Sequence, residues 1–70
     1  MAATLTQNVK VTVSGNYTYV AKASVGTSQA MPSWQCKRIE DDGTTVTILW
    51  ANGNDKFINT AVDLTSLSYF

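Results

Sequence analysis

The sequence predicts an all-β protein: a single small domain, residues 1–70, with five to six short antiparallel strands in a sandwich or partly open barrel. Three observations carry this. Apolar and polar residues alternate with a period of two in several short stretches, as a half-buried strand requires. Turn-forming clusters, Ser14-Gly15-Asn16, Asp41-Asp42-Gly43 and Asn52-Gly53-Asn54-Asp55, separate those stretches. No apolar stripe of helical spacing persists over eleven residues anywhere in the chain.

The first strand comes from Thr4 to Val13, where Val9, Val11 and Val13 share one side and Leu5 extends it. Tyr17 to Ala23 alternates again. A two-residue loop through Gly15 sets Val13 against Thr18 and mixes polar with apolar positions. A three-residue loop instead sets Val13 against Tyr17, Val11 against Tyr19 and Val9 against Ala21, and the cleaner burial pattern favours it. Residues 25–32 form a connecting loop, with Pro32 biasing Met31 to an extended conformation.

The best-specified hairpin follows, within Ser33–Phe57. Pairing Glu40 with Thr44 leaves a three-residue loop that places Gly43 where positive φ is wanted. In that register Arg38 faces Val46, Cys36 faces Ile48 and Trp34 faces Trp50, so both indoles share a dry face. Asn52-Gly53 is a type I′ signal, after which Lys56-Phe57-Ile58 can return as a fifth strand. Beyond Asn59 the pattern weakens, and Leu67, Tyr69 and Phe70 are spaced like a terminal strand or an arm. The expected core is Val9, Val11, Val13, Tyr17, Tyr19, Trp34, Cys36, Val46, Ile48, Trp50 and Phe57, with Gly15, Gly43 and Gly53 in turns. Segments 1–6 and 66–70 are candidate docking arms, through Leu5, Leu67, Tyr69 and Phe70.

Composition narrows function. Formal net charge is zero, with five basic and five acidic residues, so the basic stripe of an electrostatic nucleic-acid binder is missing. No apolar run approaches the ~20 residues of a membrane helix, and residues 1–6 lack the basic and apolar regions of a signal peptide. With no histidine and one cysteine, an intrachain disulfide is impossible and a zinc site has too few soft ligands. The commonest general base is absent, and a Cys36 thiol on a dry face is inert. Glu40, Asp41 and Asp42 read as a charged turn, and the Asn52–Asp55 run does not match a calcium loop. The expectation is a protein without catalytic, metal or cofactor residues.

A domain this small buries only about 60% of its unfolded surface, and a lone core rarely supplies more than ~3–5 kcal/mol. Charged residues make up only 14% of the chain, below the usual ~25%. Both facts suit a subunit that packs against other protein.

Several runs are similar to segments of a group of very short proteins encoded by tailed phages. Tyr17-Thr18-Tyr19-Val20-Ala21-Lys22-Ala23 with Val25-Gly26-Thr27 resembles Y-I-Y-I-G-K-A followed by I-G-T. Trp34-Gln35-Cys36-Lys37-Arg38-Ile39 resembles W-Q-I-K-R-I, and Ile48-Leu49-Trp50-Ala51-Asn52-Gly53-Asn54 with Phe57 resembles I-T-W-A-D-G-N-x-x-F. Ser66-Leu67-Ser68-Tyr69 matches S-L-S-Y. The resemblance spans about three quarters of the chain, with Ala21, Cys36 and Asn52 as departures. It implies a virion or virion-associated role: a capsid cement or decoration protein or a neck or tail accessory, made in the host bacterial cytoplasm. Its partners would then be other phage virion proteins and further copies of itself, with no nucleic acid and no membrane. A tail module binding a host-surface glycan and a free cytoplasmic regulator are the alternatives.

Overall fold

The computed structural model describes residues 7–70. The expectations for Leu5 and for a docking arm over residues 1–6 lie outside them. The described residues form one open antiparallel sheet of four strands: β1 (Gln7–Ser14), β2 (Tyr17–Ser24), β3 (Gln35–Asp41) and β4 (Val46–Trp50). They lie side by side in chain order, a meander. The all-β class is as expected. The strand count is not, because Lys56-Phe57-Ile58 forms no fifth strand and residues 52–70 are irregular apart from a one-turn 3₁₀ helix, Leu64–Ser66.

Both hairpin registers differ from the sequence expectation, for reasons that lie in the turns. Ser14 pairs with Tyr17, so β1 and β2 join through a two-residue loop, Gly15-Asn16. Gly15 has φ 59°, and glycine first in a two-residue loop is the type II′ requirement. Val13, Val11 and Val9 therefore face Thr18, Val20 and Lys22. In the second hairpin Asp41 pairs with Val46, leaving the four-residue loop 42–45. One Asp42 carboxylate oxygen accepts the backbone N–H groups of Thr44 (2.9 Å) and Thr45 (2.7 Å). The longer loop is closed by a side chain, which counting turn residues does not reveal. Arg38 now faces Leu49 and Lys37 faces Trp50. Trp34 bridges Asn59 instead of Trp50.

The change in the second register is an odd number of residues, so it exchanges the faces of β4 relative to β3. Tyr19, Ala21, Ala23, Cys36 and Ala51 lie on one side, covered by Trp34, Ala61, Leu64 and Tyr69. Ala21, Ala23, Ala51 and Ala61 are fully buried. Such small side chains let the irregular segment approach the sheet closely. Trp34 is anchored by its indole N–H, which donates to the Ser28 carbonyl at 2.9 Å, and by paired backbone bonds with Asn59.

Of the expected core, Tyr19, Trp34 and Cys36 are buried and Trp50 is half-buried. Val9, Val11, Val13, Tyr17, Val46, Ile48 and Phe57 are exposed instead. The valines and Ile48 occupy the face that nothing in the described chain covers. The tail is also corrected. Tyr69 bridges Ala51, is buried, and donates its hydroxyl to the Leu64 carbonyl at 2.8 Å. Leu67 packs on the core, whereas Phe70 remains exposed. Leu67 and Tyr69 thus complete this chain's own core.

Candidate functional site: an uncovered sheet face

The pairings place the open face in rows of neighbouring side chains across the strands. One row holds Val13, Thr18, Ile39 and Ile48; the next holds Val11, Val20, Lys37 and Trp50. Val9, Lys22 and Gln35 form a third toward one end, and Asp41 with Val46 closes the other. Val9, Val11, Val13, Val46 and Ile48 are all at least 50% exposed. Single exposed apolar residues are ordinary, but a contiguous apolar face across a sheet marks an interaction surface. Alternation on β1 and β2 made these residues visible in the sequence. Which alternate set faces the core was decided by residues 52–70, whose aperiodic pattern carries no such signal.

The face has polarity along the strands. Lys22 and Lys37 lie toward one end, with the Lys37 ammonium 5.6 Å from the centre of the Trp50 ring. Asp41 lies at the other end of β3, and Asp42 follows in the loop. Lys10, on the opposite face of β1, is spent internally: its ammonium donates to the carbonyls of Ala61 (2.7 Å) and Val62 (3.2 Å) and to the Gln29 side chain (3.0 Å). It ties the edge strand to the covering segment, a role its polar position in the sequence did not disclose.

A second feature is a shallow cleft of about 280 Å³ beside the β3–β4 turn, lined by Asn16, Tyr17, Glu40, Asp42, Thr45 and Thr47, with Asp41. Its aromatic ring and its carboxylates are already engaged. Arg38 stacks its guanidinium 4.7 Å from the Tyr17 ring centre and 5.3 Å from that of Tyr69, and pairs with Glu40 at 3.0 Å. Asp41 accepts the Gly43 N–H at 2.9 Å. The Thr45 and Thr44 N–H groups hold the Asp42 carboxyl below its ordinary pKa. Among the described residues no group of three or more acidic or cysteine side chains is placed to hold a metal ion.

Cys36 is 1% exposed, and burial pushes its thiol up to about 11. It is therefore protonated at neutral pH, a poor nucleophile and a poor metal ligand. Burial likewise raises the Tyr69 phenol, the largest of several causes. Asn59 is the buried polar side chain of the core: its Oδ1 accepts from Asn52 Nδ2 at 2.7 Å, while its own Nδ2 has no partner. No known family model, curated protein or solved structure matches the chain.

Proposed function

We propose that this protein is a non-enzymatic docking subunit of a phage particle, a capsid cement or decoration protein or a neck or tail accessory that binds other virion chains. The observation that carries the docking part is the sheet face that no described residue covers, where Val9, Val11 and Val13 on β1 share a side with Val46, Ile48 and Trp50 on β4. Burying apolar area is the main favourable term in protein association. A 70-residue chain whose described residues leave one sheet face bare gains stability when a partner covers it. The phage setting rests on the resemblance of the Tyr17–Ala23, Trp34–Ile39 and Ile48–Asn54 runs.

The glycan-binding alternative would use the cleft at Tyr17. Sugar recognition wants a free aromatic face, and Arg38 and Tyr19 already occupy positions against the Tyr17 ring. Docking through the open face is the better-supported reading.

Mass spectrometry of purified particles tests the assignment. The chain is expected as a virion component, and its copy number relative to the major capsid protein separates head decoration from a neck or tail part. Ile48→Asn, at an exposed position, is expected to reduce incorporation while the isolated protein keeps its far-ultraviolet circular dichroism. Absence from particles that contain every other structural protein overturns the virion role.

A further inference from the structure

We infer that the open face is covered by the same face of a second copy, in a two-fold sandwich whose axis lies between the sheets and runs across the strands. The inference rests on reading that face as a docking surface, and adds what occupies it.

Charge complementarity selects this occupant, and area sets its strength. Strands lie about 4.8 Å apart and like-facing residues about 6.7 Å apart, so the three rows through Lys37, Ile39 and Asp41, which reversal about Ile39 superimposes, span at most roughly 390 Å² in projection. Two copies then bury on the order of 800 Å², the size of a weak, reversible interface. The sheets would pack about 10 Å apart, as aligned sandwiches do. Charge then selects the orientation. An axis along the strands would set Lys22 and Lys37 against the partner's lysines. An axis across the strands reverses one sheet end for end and sets the lysine end of each copy over the Asp41 end of the other. On β3 the sequence Lys37, Ile39, Asp41 on this face is charge-complementary to its own reversal about Ile39. On β4 the same operation stacks Trp50, the largest side chain, over Val46, one of the smaller. Because Ile39 pairs with Ile48, one axis position serves both strands.

This arrangement would make a two-layered sandwich with one layer from each copy, not the sandwich within one chain that the sequence predicts. The outer edge of β1 would stay free for other virion chains.

Sedimentation velocity of the full chain from about 1 to 100 μM tests the occupant, with zero-length carbodiimide coupling of a mixture of nitrogen-14 and nitrogen-15 protein testing the orientation. The expected result is a concentration-dependent dimer with a micromolar-range dissociation constant, and mixed-isotope cross-links joining Lys37 or Lys22 to Asp41 or Asp42. Within one chain Lys37 and Asp41 stand about 13 Å apart along the strand, too far for such a link. Val11→Asn and Ile48→Asn should each weaken the dimer tenfold or more, because each buries an unpaired amide, while circular dichroism stays unchanged. A monomer at 100 μM overturns the inference, as does a dimer indifferent to both substitutions. Binding of that monomer to anionic vesicles would identify a lipid surface instead. Should the chain be monomeric while Ile48→Asn still impairs particle incorporation, the docking reading survives and only the second copy as occupant fails.

Discussion

Two tryptophans that the sequence places as one cross-strand pair serve opposite faces. Trp34 is 3% exposed and hydrogen-bonded through its indole; Trp50 is half-buried on the open face. Trp34→Ala is therefore expected to cost about 3–5 kcal/mol, and Trp50→Ala only about 1–2 kcal/mol in the isolated chain, from the smaller apolar area it removes. Urea denaturation of both variants checks the difference, and equal costs would place both indoles in one core. Cys36 gives a second expectation. Its thiol is raised from 9.0 to about 11 in the fold. The unfolded chain thus ionises first, and stability is full below pH 9 and falls as pH rises toward 11. The loss should reach about 2 kcal/mol by pH 11, with the raised Tyr69 phenol acting in the same direction. Cys36→Ala should flatten the alkaline limb when stability is measured at pH 7, 9 and 10.5; an unchanged limb would exclude the thiol as its source.

At the level of elements, strand existence was legible and strand register was not. All four strands fall where alternation places them, and Asn52-Gly53 forms the turn that its dipeptide signals, with φ of 56° and 71° and the Asn54 N–H donating to Ala51 at 3.4 Å. Register is not legible because β1 and β2 each offer two plausible faces, and turn chemistry, not burial pattern, decides between them. The Gly15-Asn16 loop shows that priority at work. In the β3–β4 turn, Gly43 has φ 91° with open space around its missing Cβ. Gly43→Val is expected to cost about 1–3 kcal/mol through backbone strain alone. Asp42→Ala should also destabilise, since two turn N–H groups lose their acceptor. The carboxyl is held below its usual pKa, so its contribution is present above the unfolded value near 3.8 and is lost as pH falls through the lowered value. Thermal unfolding at pH 7 and pH 3 should show the Asp42→Ala penalty shrinking with acidification. A constant penalty would mean that the carboxylate is not the cap.

At the scale of the molecule, the described residues form a sheet with one dry side and one bare side, and the dry side is closed by a segment that is irregular apart from one 3₁₀ turn. That segment explains why the candidate site was only half visible. The valines were legible as one face of a strand, but their exposure depends on Ala61, Leu64 and Tyr69 covering the other face. No periodicity announces those three residues as core. The same reasoning changes what the C-terminal residues are expected to do. Tyr69 is 8% exposed, its ring centre lies 5.4 Å from that of Tyr19, and Arg38 stacks on it. Ser68 accepts the Asn52 N–H at 2.8 Å and Phe70 donates to Trp50 at 3.1 Å, so the tail closes onto the end of β4. Deleting residues 66–70 should therefore abolish cooperative unfolding of the isolated chain, and with it any particle incorporation. A detachable docking arm would behave differently, leaving a stable monomer that merely fails to incorporate. Tyr69→Phe separates packing from hydrogen bonding: it keeps the ring, strips the Leu64 carbonyl of its donor, and should cost about 1–2 kcal/mol. Urea denaturation followed by tryptophan fluorescence reads all three proteins. If the truncated chain unfolds at the wild-type midpoint, the tail is an arm after all and does not close the core.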